Sequence, residues 1–439
     1  MNVQLLPLYF DPGRDAGFDQ QLAVLRGLLG DKVEWLAPQA LGANLPQADA
    51  VIFPQFLGEG YRRLEDFKRI GHPILVITSE FGTVSMWDWE LISYLRESGV
   101  ATFAPYSLAQ TRRLISALRT RKELRRAKFV VYQDNPGEGM QAPIFKRFFW
   151  WESECTQRMV QKFGITIEKR SFRELGARAA AMADGKAEKA RQEWTTPLND
   201  VSPRAANNAT NLYLALRRDI EADSDIRGIG INCLNESAFS NTTPCLAFSR
   251  LYDELGLIWG CEADTVSILT KYILHRSLGA PILMTNIYPF LLGDAGLKHE
   301  RIDHFPSVAG NPRDYLLIAH CGYMGVIPES FTNEWRLRPK VLGIVDEHAS
   351  AIDARIPTGP ITLAKLQPSF DRITVAEGEL EGYAQYPGSD CRNGGVVRVR
   401  DGHAMITRHS SHHQLVMTGN QRDDIELIAP VFGLTPEVL

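Results

Sequence analysis

Residues 260–286 read GCEADTVSILTKYILHRSLGAPILMTN. An apolar run ends at Glu262, an amphipathic stretch follows, and a second apolar run closes on Thr285 and Asn286. Strand, helix, strand in that order is the βαβ unit of a parallel sheet covered on both faces. Ligands bind such sheets beyond the carboxyl ends of the strands, where these polar groups stand.

The same pattern extends outward. GIGINCLNE (228–236) ends in Asn235 and Glu236, LIWGCE (257–262) in Glu262 with Asp264 close behind, and YLLIAHCG (315–322) in His320 and Cys321. If these runs and ILMTN are parallel neighbours, their four polar tips converge on one rim. A carboxylate ending an apolar strand costs several kcal/mol to bury unless it is paired or metal-bound. Glu262 is therefore the leading functional candidate. Carboxylates with imidazoles either bind a divalent ion (Mn2+, Mg2+, Fe2+ or Zn2+) or move protons between adjacent carbons. Asp264 equally fits the N-cap of the following helix, and Asn286 fits a turn.

The first third alternates apolar runs, VQLLPLYF (3–10), ADAVIFPQF (48–56) and HPILVITSEF (72–81), with helical stretches. A basic helix, TRRLISALRTRKELRR (111–126), leads to a second α/β run with one long helix from Phe172 to about Trp194. Its basic face offers anion binding or plain solvation. After about Glu329, short β-like runs take over: KVLGIV (340–345), GPITLAKL (359–366), RITVAEGEL (372–380), GGVVRVR (394–400), HAMITRH (403–409) and HQLVMTG (413–419). The expected fold is α/β: two Rossmann-like parallel-sheet domains, 1–127 and 128–328, then a β-rich domain, 329–439, that forms an antiparallel sheet or barrel.

His409, His412 and His413 cluster near the C-terminus. If HQLVMTG is a strand, His412 and His413 face opposite sides, so at most one serves a given site. Trp87 and Trp89 follow a strand end, where an aromatic stacks on a sugar ring or packs in the core. The 48 basic and 52 acidic residues give net charge −4, which provides no electrostatic case for nucleic acid or an anionic membrane surface. No apolar run reaches the roughly 20 residues of a membrane span, and the N-terminus reads as a strand, not a signal peptide. Six scattered cysteines point to reduced thiols in the cytoplasm. Phosphate loops, GxSxG and HExxH are absent from the sequence.

PCLAFSRLYDELGLIWGCEADTVSILTKYIL (244–274), HHQLVMTGNQRDDIELIAPVFGL (412–434) and GPITLAKLQPSFDRITVAEGEL (359–380) resemble the L-fucose isomerase and L-arabinose isomerase superfamily, and its shorter fucose-isomerase-like members most. The resemblance implies a metal-dependent aldose–ketose isomerase working through a cis-enediol, with Mn2+ the expected ion and a trimer or hexamer the expected assembly. It places metal ligands at Glu262 and His413. The family's second metal carboxylate falls on Thr285 or Asn286, neither of them an acid, so Asn286 is the expected third ligand. Glu262 then serves as ligand and base, the proton relay falls to His320, Asp264, Glu236 or a metal-bound water, and substrate contact falls to Glu236, Trp87 and His412. Without that second acid, epimerisation, cleavage or decarboxylation of a sugar acid is the alternative chemistry, and a non-catalytic sugar-binding protein is the alternative class.

Overall fold

A computed structural model describes residues 2–10, 14–134, 147–194, 198, 200–290, 303–321, 323–339, 349–386 and 393–439. The expected strand KVLGIV, and with it His299, His348 and Cys391, lies outside the described residues. The chain divides into two units: residues 1–124, 276–278 and 423–435 in the first, and 125–275, 279–422 and 436–439 in the second.

The first unit holds β1 (Val3–Tyr9), β2 (Val33–Trp35), β3 (Gln39–Ala40), β4 (Ala50–Phe53), β5 (Ile74–Val76) and β6 (Thr102–Phe103), in the parallel order β2-β1-β4-β5-β6, with β3 also on β1. The helix α1 (Ala16–Leu29) starts where Asp15 accepts the Phe18 N–H. It buries Phe18, Leu22, Leu25 and Leu29, the three- and four-residue spacing of one helical face. Phe10, Phe53 and Phe67 meet in this unit's core at centroid distances of 5.4–6.1 Å, and the partly buried Phe56 packs against them. The basic helix, Leu108–Leu124, is half-buried here, since Leu114, Ile115, Ala117 and Leu118 face inward.

In the second unit the described residues form two main sheets, besides one two-stranded hairpin. One is parallel: β7 (Lys128–Tyr132), β8 (Thr166–Arg170), β9 (Ile226–Ile231) and β10 (Ile258–Cys261), in the order β10-β9-β7-β8. The other is built from β11 (Ile282–Pro289), β12 (Tyr315–Ala319), and, past a separate hairpin of β13 (Glu334–Pro339) with β14 (Ser350–Arg355), β15 (Gly359–Leu366), β16 (Arg372–Ala384), β17 (Gly394–Val399) and β18 (His413–Thr418). The order β15-β18-β11-β12-β17-β16 is antiparallel throughout and closes through β15–β16 into a six-stranded barrel, with β19 (Thr435–Val438) added beyond β16. The β-rich C-terminal region is thus a barrel, and closure leaves its strands no unpaired edge.

Several expectations change. Of the four runs expected to converge, only GIGI in β9 and the run in β10 are parallel neighbours. ILMTN and YLLIA lie in the barrel, where a strand packed on both sides is as continuously apolar as one in a covered parallel sheet. HAMITR is not a strand. It is the helix Gly402–Arg408, which begins where Asp401 accepts the Ala404 N–H. The long helix is two, Phe172–Ala180 and Asp184–Gln192.

Candidate metal centre

The parallel sheet and the barrel bring their polar tips together at the end of β10. The chain leaves that strand through Glu262 and Ala263, both non-glycine residues at positive φ, 53° and 52°. Such paired left-handed residues cost on the order of 1–3 kcal/mol each and cluster at functional sites. Several contacts pin the turn. The indole N–H groups of Trp150 and Trp151 donate to the Glu262 carbonyl at 3.2 and 2.8 Å, and the Ala263 N–H donates to the Ile231 carbonyl at 2.9 Å. Gly260 lets the following helix, α2 (Thr265–Leu278), lie against β10. A Cβ there would stand 2.9 Å from the Asp264 carbonyl and 2.6 Å from Ile268.

Asp264 caps this helix: its carboxylate accepts the Ser267 N–H at 2.8 Å and the Ser267 hydroxyl at 2.7 Å. It also accepts Lys365 Nζ at 2.9 Å and pairs with His413 Nδ1 at 2.8 Å. All three charged or titratable groups are fully buried. Burial alone would raise the Asp264 carboxyl; Lys365 and His413 outweigh it and hold the group well below the usual carboxylate range. The Nδ1–Asp264 bond turns the other ring nitrogen, Nε2, towards Glu262. Carboxylate–histidine pairs behind metal sites orient ligands in this way.

Around the Glu262 side chain stand three imidazoles. Glu262 Oε1 is 3.6 Å from His413 Nε2 and 3.6 Å from His320 Nε2, and Oε2 is 4.0 Å from His412 Nε2. These separations are too long for hydrogen bonds. Glu262 Oε2, His413 Nε2 and both nitrogens of His320 are buried without a hydrogen-bond partner. Donor atoms bound at about 2.1 Å to one tetrahedral ion sit about 3.4 Å apart, so the cluster has ligand spacing. The residues therefore fit a divalent ion. They form two sets whose donor atoms are mutually within 4.8 Å: Glu262 with His412 and His413, and Glu262 with His320 and Cys321. Burial would raise the Glu262 carboxyl, but the neighbouring His413 and His320 imidazoles hold it well below its ordinary range. Burial lowers His320, yet Cys321 and Glu262 push it up to about 10. His412 is pushed down to about 3, first by burial and then by His413, so it stays neutral.

His412 and His413 thus serve one carboxylate, contrary to the expected opposition. The strand starts only at His413, so the alternation of faces does not reach His412. The His412 side chain is 38% exposed and lies beside Phe148, with centroids 5.6 Å apart, forming the outer rim. Asn286 is the direct cross-strand partner of His413. Its Nδ2 donates to the Tyr288 hydroxyl at 2.9 Å, and its Oδ1 is buried without a partner. Glu236 belongs to neither ligand set; its carboxylate accepts the Asp134 N–H at 2.9 and 3.1 Å and Asn232 Nδ2 at 3.1 Å, tying β7 to β9. Trp87 lies in the first unit with 79% of its surface exposed, so it is not core, whereas Trp89 packs partly against that unit's core.

Sequence reasoning passed over Lys365 and the Trp150–Trp151 pair. The lysine had a signal: it sits inside the apolar run GPITLAKL, where a buried ammonium requires a partner. Comparison with protein-family models and with curated proteins finds no match.

Proposed function

We propose that this chain is a metal-dependent enzyme of the fucose-isomerase-like kind, interconverting an aldose and a ketose of a small sugar or sugar derivative. The observation that carries the reading is the buried Glu262 carboxylate, ringed at 3.6–4.0 Å by three imidazole nitrogens and lacking hydrogen bonds at Oε2. Glu262, His412 and His413 would hold the ion, with Asn286, the cross-strand partner of His413, the further oxygen donor that the resemblance points to. A bound ion would supply Lewis acidity towards the oxygens of the substrate. Asp264 and Lys365 fix His413. Glu262 and His320 carry the proton between neighbouring carbons, and Phe148 with His412 offers an aromatic edge to the sugar.

We assign Mn2+ as the working ion, cytoplasm as the compartment and a trimer or hexamer as the assembly. The first and last rest on the resemblance. The compartment rests on the five cysteines among the described residues, none of them in a disulfide. No described helix is long and apolar enough to cross a membrane. Because Asn286 stands where the resemblance expects a carboxylate, epimerisation or decarboxylation of a sugar acid is the second reading.

Metal analysis and solvent exchange test the reading. The Mn2+-loaded protein should move deuterium from D2O to the carbon beside the sugar carbonyl. Glu262→Gln should lose the metal and slow exchange by about 10^2 to 10^4, the usual weight of positioned acid–base catalysis. A protein that holds no divalent ion after loading would overturn it.

A further inference from the structure

We propose that Glu262, His320 and Cys321 form a second metal site, one that takes a thiophilic divalent ion such as Zn2+, Fe2+ or Co2+ and shares Glu262 with the first. The donor atoms of this set lie within 4.8 Å of one another. His320 is 1% exposed and neither ring nitrogen has a hydrogen-bond partner, so an ion here would engage a buried polar atom that the protein leaves bare. Cys321 stands at φ 36°, a strained value for a residue with a side chain. Along a regular strand, 320 and 321 would face opposite ways; in this turn both donors reach Glu262.

Two features separate this set from the first. Its thiolate is a soft ligand that selects Zn2+ or Fe2+ over Mn2+ or Mg2+, whereas the Glu–His–His set has no sulfur. The imidazoles differ as well: His320 Nε2 stands 3.6 Å from Glu262 Oε1, an oxygen that His413 Nε2 also approaches at 3.6 Å, while His412 Nε2 faces Oε2 at 4.0 Å. A bridging carboxylate is the usual link between ions about 3.5–4 Å apart. On binding, the Cys321 S–H bond breaks, the proton passes to solvent and the sulfur pair forms the metal bond. An ion here engages the imidazole assigned above to proton transfer, so this site would silence the enzyme under zinc excess. The site itself does not depend on the isomerase reading, because its test uses no sugar.

The full chain, stripped of metal, is titrated with Co2+ and followed by absorption and by metal content. Two equivalents are expected, with a near-ultraviolet thiolate-to-cobalt charge-transfer band beside the visible d–d bands. Cys321→Ser should retain one equivalent and d–d bands and lose the charge-transfer band. One equivalent without that band, or a band that survives in Cys321→Ser, would overturn the proposal. Should the variant not fold, alkylation of the unaltered chain decides: saturating Zn2+ should slow iodoacetamide labelling of Cys321 by about tenfold or more, read by peptide mass. An unchanged labelling rate would equally overturn the site.

Discussion

Asp264 carries more of the site than its sequence neighbours suggest. Its one carboxylate caps a helix, neutralises buried Lys365 and orients His413. Asp264→Asn keeps an N-cap oxygen and removes only the charge. It leaves a buried ammonium uncompensated, and breaking such a pair costs about 3–5 kcal/mol. Urea denaturation should show that loss, and Asp264→Asn with Lys365→Met should recover part of it; a single variant as stable as the parent would refute the pairing. Lys271, on the same helix, makes a separate prediction. Burial pushes it down to about 7 from 10.5; its Nζ donates to the Trp259 carbonyl at 3.0 Å and lies 3.6 Å from that indole's centroid. Cys261 and Asp264 pull the value up and Lys365 pulls it down. The folded pKa is below the unfolded one, so between pH 7 and 10.5 the unfolded chain holds the extra proton. Lys271 thus makes stability rise with pH across that window, by up to about 1.4 kcal/mol per unit. Lys271→Met should flatten the dependence measured by urea midpoints at pH 7 and 9, and an identical slope would count against it. Glu262 was legible because a carboxylate closing an apolar strand has few cheap explanations. His412 was misjudged because the alternation of faces was extended one residue beyond the strand.

Among the elements, β12 and β17 couple the barrel to the metal cluster. Gly394 pairs with Ala319, the residue before His320. A Cβ on Gly394 would stand 1.9 Å from the Ile318 carbonyl oxygen and 2.9 Å from the Ala319 side chain. Gly394→Ala must therefore push β12 outward, with a cost of about 1–3 kcal/mol or more. The displacement reaches His320, so Co2+ affinity at the Glu262–His320–Cys321 set should fall as well. Gly382→Ala in β16, where nothing lies within 4 Å of the added carbon, is the matched control and should be close to neutral in both measurements. Equal effects from the two substitutions would show that the close approach does not matter. The strands of this region were legible as strands, but their partners were not. ILMTN and YLLIA carry long apolar runs that fit either a covered parallel sheet or a closed barrel, and periodicity does not choose between them. HAMITR was hidden for another reason: a seven-residue helix spans too few turns to show its period, and Asp401 as its cap was the available clue.

At the scale of the molecule, the ligands come from pieces of chain far apart in sequence, all inside the second unit. Glu262 follows a strand of the parallel sheet, while His320 follows one strand of the barrel and His413 begins another. An ion held by these side chains links the two sheets of that unit across about 150 residues of chain, and it binds the folded state alone because the unfolded chain has no assembled site. Binding then adds stability by mass action, about 2.7 kcal/mol at a free ion concentration one hundred times the dissociation constant. Calorimetry of the metal-free chain titrated with Mn2+ or Co2+ should show a rising melting temperature for the transition that exposes Trp150 and Trp151, whose indoles hold the Glu262 carbonyl. The first unit contributes no residue to either ligand set, so unfolding of its tryptophans, Trp35, Trp87 and Trp89, should not move with metal if the two units melt separately. Chelation should return the shifted transition to its starting temperature, and Glu262→Gln should abolish the shift. A metal response in that variant as large as in the parent would place the ion elsewhere and remove Glu262 from the centre of the site.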